Sequence, residues 1–109
     1  MNKYKQNSRI TPFEKKVYSL CKKIPRGKVS TYKSIAEAMN TRAYRAVGNA
    51  LNKNPHASEI PCHRVVKSTG EIGGFAVGTR KKAKMLKTEG IRIKDGKIID
   101  IEKITIRKF

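Results

Sequence analysis

Acidic residues are scarce in this chain: 8 Asp and Glu stand against 26 Lys and Arg in 109 residues, a formal net charge of +18. Such an excess raises self-repulsion in the folded state and points to a polyanionic partner, nucleic acid first. Lysine enrichment of the thermophile kind brings glutamate with it, and glutamate is what is missing here. Long apolar runs are absent too. Nothing approaches the roughly 20 apolar residues that span a bilayer, and the polar stretch from Met1 to Ile10 lacks the apolar segment of a secretory leader. The expected location is the cytoplasm, at the nucleoid in a prokaryote, or the nucleus in a eukaryote. Cysteine is sparse: Cys21 and Cys62 form no CxxC pair, which argues against a zinc ribbon and, inside a cell, against a disulfide. That leaves reactivity as a role open to at least one thiol. No repeat and no linker divides the chain, whose length suits one domain with a modest core.

The pattern along the chain predicts a mainly α domain with a small β hairpin or sheet, arranged like a winged helix-turn-helix. Residues 1–10 read as a basic arm. Thr11-Pro12-Phe13-Glu14 is a capping box with proline at the first helical position. Phe13, Val17, Leu20, Cys21 and Ile24 follow at helical spacing, giving a helix over 12–23 with Cys21 on its buried stripe. Ser30 or Thr31 can cap a second helix carrying Ile35, Ala36 and Met39, and a third near 43–53 places Val47, Ala50 and Leu51 on one side. The opposite face of that third helix shows Arg45, Gly48, Asn49 and Asn52. Two short helices joined by a tight turn on a basic chain resemble a helix-turn-helix, a pairing that also occurs without any DNA role. Thr79 can cap a fourth helix closed by Gly90, and Asp95-Gly96 between isoleucine-rich segments signals a hairpin, with Ile104 and Ile106 as a third short strand. The organisation expected is a 1–10 arm, an 11–94 domain and a basic β extension over 95–109.

Pro61-Cys62-His63-Arg64 is where chemistry concentrates. A free thiol is a few per cent thiolate at neutral pH and becomes a strong nucleophile when a base or a positive field favours that form. Adjacency to His63 and Arg64 is suggestive only, because neighbouring side chains of a strand point to opposite faces.

Ile60-Pro61-Cys62-His63-Arg64-Val65-Val66 resembles the active-site signature of the O6-alkylguanine-DNA alkyltransferases. Gly27-Lys28-Val29-Ser30-Thr31-Tyr32, Tyr44 to Leu51, Asn54-Pro55 and Lys87-Thr88-Glu89-Gly90 fall in the family's order at its distances. The likeness covers about residues 11–94, corresponding to the family's C-terminal catalytic domain. It implies irreversible transfer of an alkyl group from O6 of guanine in double-stranded DNA to Cys62, one transfer per monomeric chain and no cofactor or metal. By the same resemblance, His63 acts through a water as the base, Glu89 orients His63, and Asn54 braces the active-site turn. Tyr32 donates a hydrogen bond to the departing base. Arg45 takes the place of the flipped nucleotide, with Ala46, Gly48, Asn49, Thr31 and Tyr44 against the DNA. Val65, Phe75 and Ala76 line the base pocket.

Two positions depart from the family pattern: Phe75 stands where tyrosine is common, and Tyr44 puts bulk on a face where small residues are usual. The family's larger N-terminal domain has no counterpart in this sequence. Two other functions fit parts of the pattern. One is an alkyltransferase-like sensor that binds the lesion without repairing it; such proteins often carry tryptophan at the cysteine position. The other is a helix-turn-helix regulator indifferent to alkylation.

Overall fold

A computed structural model of the chain describes residues 10–54, 59–73 and 78–109. Helix α1 (Pro12–Cys21) opens with the capping box in place. Thr11 Oγ1 accepts from the Glu14 N–H at 3.0 Å, and the Thr11 N–H donates to Glu14 Oε1 at 3.0 Å. The helix stops short of residue 23 in a tightened turn, Lys23 N–H to Leu20 O at 3.0 Å, ahead of Pro25, which cannot continue it. Strand β1 (Ser30–Thr31) leads straight into α2 (Tyr32–Ala38), capped by Thr31, and α3 (Tyr44–Asn52) follows. A 3-10 turn (Cys62–Arg64) runs into β2 (Val65–Val66), parallel to β1 with Ser30 beside Val65 and Thr31 beside Val66. Helix α4 (Thr79–Thr88), an antiparallel hairpin of β3 (Ile93–Lys94) and β4 (Lys97–Ile98), and α5 (Ile101–Ile104) complete the order.

The β1–β2 pair separates two apolar clusters. Val17, Leu20, Cys21, Ile35, Val47, Leu51 and Val65 belong to the larger one, between α1, α2 and α3. Val29, Val66, Ile72, Leu86, Ile91 and Ile98 form the smaller. Successive strand residues face opposite ways, so Val65 and Val66 serve one cluster each. Tyr18 closes the helical cluster by donating its hydroxyl to Ala50 O at 2.6 Å. Among the described residues no helix is long and apolar enough to cross a membrane.

Two boundaries differ from the sequence expectation. Gly78, at φ +105°, occupies the cap position of α4 and Thr79 is its first residue, with no side-chain cap bond. The extension is β only as far as Ile98. Asp100 adopts a left-handed conformation (φ +57°), which ends the strand, and 101–104 coil into α5. Asp tolerates that conformation better than most residues, and the turn it makes lets Ile101 and Ile104, three apart, both pack on the smaller cluster. Just past α5 the chain does become β-like, where Thr105 bridges Val29. The arm of residues 1–9 lies outside the described residues.

Candidate active site and nucleic-acid face

Pro61 fixes the backbone before a 3-10 turn, so Cys62, His63 and Arg64 do not alternate as in a strand. Two consecutive side chains of this turn reach the same carboxylate. His63 Nε2 lies 2.8 Å from Glu89 Oε2. Arg64 grips Glu89 with Nε to Oε1 at 3.0 Å and Nη2 to Oε2 at 2.8 Å, and donates through Nη1 to Ile24 O at 2.8 Å. The Gly27 N–H adds a weaker bond to Glu89 Oε1 at 3.3 Å. Glu89 ends α4, where the helix dipole disfavours negative charge. Burial also pushes its carboxyl up, but the bonds from Arg64, His63 and Gly27 outweigh both and hold it down at about 2. The carboxylate is therefore ionised at neutral pH. Burial lowers the His63 pKa against the pull of Glu89, so the imidazole is neutral there. A neutral imidazole that donates through Nε2 to a carboxylate carries its lone pair on Nδ1, as a base requires.

Cys62 is buried, 3% exposed. Burial raises its thiol pKa, opposed by a hydrogen bond with Asn54 and by the charge of Lys82. The resting group is a thiol that must be deprotonated during reaction, not a preformed thiolate. Asn54 also donates Nδ2 to Ile60 O at 3.1 Å, tying the end of α3 to the segment entering the turn. Cys21 is fully buried on α1 and burial pushes its thiol up to about 12, which makes it an inert core residue.

Lys82 received no role from sequence, yet it is the largest fully buried side chain. Its Nζ donates to Val65 O at 2.7 Å and to Tyr32 Oη at 3.3 Å, and lies 5.7 Å from the centre of the Tyr32 ring. Desolvation pulls its pKa down to about 8, with the field of Cys62 opposing. The signal was present in the sequence: Lys82 stands four residues before Leu86, on the stripe that faces inward. A charged residue on an apolar stripe marks either an error of assignment or a buried function. Burial also lifts the Tyr32 phenol to about 12, so it remains a hydrogen donor at any physiological pH.

Tyr32 connects this cluster to the surface. A groove of about 380 Å³ is lined by Tyr32, Tyr44, Arg45, Gly48, Asn49, Asn52 and Lys67, the exposed face of α3 and its neighbours. Gly48 faces the Tyr32 ring, and a Cβ there would meet it at 3.9 Å, an ordinary packing distance. Other expected contacts are placed differently. Thr31 is buried and its hydroxyl is engaged in capping α2, accepting from Ser34 N–H at 2.9 Å. Ala46 is half-buried and does not line the groove. The Val65 side chain belongs to the core, and its carbonyl is held by Lys82. Phe75 and Ala76 lie outside the described residues. Among the described residues no group of three or more His, Cys, Asp or Glu could hold a metal.

A family model described as the DNA-binding domain of 6-O-methylguanine DNA methyltransferase matches residues 12–91. The methylated-DNA–protein-cysteine methyltransferase of Thermococcus kodakarensis is 48% identical over 84 residues, 76% of this chain and 47% of that protein. Its namesake in Saccharolobus solfataricus is 47% identical over 87 residues, 80% of this chain and 56% of that protein. This chain thus spans about half the length of these curated relatives. Among solved structures, S. pombe Atl1 in complex with damaged DNA containing O6-carboxymethylguanine superposes with a TM-score of 0.77 at 31% identity, covering 86% of this chain and 94% of that one.

Proposed function

Because the chain belongs to the 6-O-methylguanine DNA methyltransferase family, we propose that it repairs alkylated DNA directly, taking an alkyl group from O6 of guanine onto Cys62. The observation that supports this reading is a buried Cys62 within the field of Lys82 and Tyr32, preceding in one turn the His63 and Arg64 that both bind Glu89. A nucleophile, a neutral base with an ionised orienting group, and a proton-donating phenol meet around one turn.

The step runs as follows in this reading. The thiol proton passes through a water to Nδ1 of His63, and Glu89 stabilises the imidazolium that forms. Cys62 Sγ bonds to the alkyl carbon while the carbon–O6 bond breaks and its electron pair stays on the guanine. Tyr32 donates a hydrogen bond to the base as that charge grows, an interaction worth more in the transition state than before it. Lys82, by donating to the Tyr32 oxygen, makes the phenol a stronger donor. The guanine finally takes up the proton. A thioether at Cys62 has no leaving route, so one chain performs one transfer.

The O6 atom is stacked inside the duplex, and extruding the nucleotide costs a few kcal/mol. Arg45, exposed on α3 at the groove next to Tyr32, would fill the vacated stack, while the surplus of lysine and arginine holds the phosphates. Tyr44 and Asn49 line the same groove and would meet the backbone. Residues 11–94 would carry both the chemistry and the DNA face within a single chain, working at the nucleoid or in the nucleus.

Lesion binding without transfer is the second reading, favoured by the near-complete coverage of S. pombe Atl1. A duplex bearing O6-methylguanine with a labelled methyl group separates the two. Repair moves one label per chain onto the protein, and Cys62→Ser abolishes the transfer while binding persists. A sensor binds the duplex and leaves every label on the DNA.

A further inference from the structure

The family match ends at residue 91, but the chain beyond it is built into the domain at two places, both next to Tyr32. The first is the strand that delivers Tyr32. Val29 N–H donates to Ile104 O at 2.9 Å, Ile106 N–H donates to Val29 O at 2.7 Å, and Ser30 Oγ donates to Ile106 O at 2.7 Å. With β2 on its other side, β1 is therefore the middle of three aligned segments, and its outer edge is covered by the tail. An uncovered edge two residues before Tyr32 would leave the start of α2 free to fray.

The second place is the loop that touches the Tyr32 hydroxyl. The β3–β4 hairpin holds residues 70–72: Ile98 N–H donates to Gly70 O at 2.8 Å, Ile72 N–H donates to Gly96 O at 3.2 Å, and Lys97 bridges Glu71. Gly73 follows directly, at φ +75°, so close that a Cβ there would lie 2.9 Å from Tyr32 Oη. Ile98, Ile101 and Ile104 anchor these contacts in the smaller cluster, and Phe109 packs against the larger.

We propose that residues 92–109 are a positioning brace for Tyr32, clamping the strand before it and the loop over its hydroxyl from outside the family domain. The proposal rests on the reading of Tyr32 as donor to the departing base. Ile106→Pro in the full chain removes the N–H that reaches Val29, and Thr105 already has the extended backbone that precedes proline comfortably (φ −88°, ψ 128°). Ser30→Ala is the milder variant, deleting only the hydroxyl bond to Ile106.

Two readouts are needed. Amide hydrogen exchange should quicken roughly fivefold to tenfold over residues 29–32, the weight of about one hydrogen bond, with α1 and α3 unchanged. At saturating methylated duplex, the single-turnover transfer rate should fall by a similar factor with the Kd for duplex unaltered, and in a Tyr32→Phe chain the same substitution should slow transfer no further. Unaltered exchange over residues 29–32 overturns the brace. So does equal slowing in the Tyr32→Phe chain, which would mark general destabilisation. If the native chain transfers nothing, the repair reading fails, and the exchange result still decides whether the tail braces the strand.

Discussion

Replacing Lys82 by Met separates what this residue does for the fold from what it does for the reaction. Holding Lys82 down at about 8, against 10.5 in the unfolded chain, corresponds to about 3 kcal/mol of opposition to folding at neutral pH. Methionine has similar length and no charge, so that opposition disappears. The Val65 carbonyl loses its donor, which costs about 1–3 kcal/mol. The two effects nearly cancel, and stability at pH 7 should change by no more than about 2 kcal/mol. The transfer rate should not be spared. Tyr32 loses a charge-assisted partner and Cys62 the positive charge that favours its thiolate, together about 1.5–3 kcal/mol, or a tenfold to hundredfold slowing. The pH dependence has a definite sign. A depressed ammonium costs stability in full below pH 8 and the cost lifts as pH rises toward 10.5, so the native chain should gain on the variant by about 3 kcal/mol over that window. Urea denaturation of both chains at pH 7 and 10, with single-turnover transfer from methylated duplex at pH 7, provides the measurement. A variant that loses more than about 4 kcal/mol yet transfers at the native rate would refute this account and leave Lys82 as a structural tie.

Glu89→Gln removes a carboxylate held at about 2 instead of 4.5, whose stabilisation is present above pH 4.5 and lost as pH falls toward 2. Acid unfolding of the native chain should therefore be steeper over that window, by about 3 kcal/mol, and the variant should transfer slowly because His63 loses its orienting partner. Gly73→Ala would force a Cβ against Tyr32 Oη from a left-handed backbone; its transfer rate should fall at least tenfold with binding intact, read in the same single-turnover assay. Arg45→Ala should slow repair of duplex more than attack on the alkylated free base, and equal slowing on both substrates would contradict a flipping role.

The parts of the fold legible in sequence were those set by local rules. The Thr11 capping box, the apolar stripes of α1 and α3, and the Asp95-Gly96 hairpin all rest on neighbours within a few residues. In the tail the departure is confined to 101–104, where isoleucine spacing fits either period and a left-handed Asp100 decides for the helix, while Thr105 and Ile106 pair with Val29 as a short β segment. At the site, motif order named Cys62, His63, Glu89, Asn54 and Tyr32 as candidates; the structure places His63 on Glu89 and Asn54 beside Cys62. Thr31 is placed as a buried helix cap, because a capping hydroxyl and a DNA-facing hydroxyl look identical in a string of letters, and burial is what distinguishes them. Arg64 as the clamp on Glu89 depends on a pairing 25 residues apart, which no local pattern encodes; the helical stripe could flag Lys82 as buried, but not its partner Tyr32, 50 residues away.

Peptide mapping by mass spectrometry, after one equivalent of O6-methylguanine duplex, tests the central claim most directly. The account predicts that the peptide containing Cys62 gains the mass of one CH2 group, that the peptide containing Cys21 gains nothing, and that the DNA regains unmodified guanine. An unmodified Cys62 on a chain fully bound to the lesion, or methylation at any other residue, would contradict it.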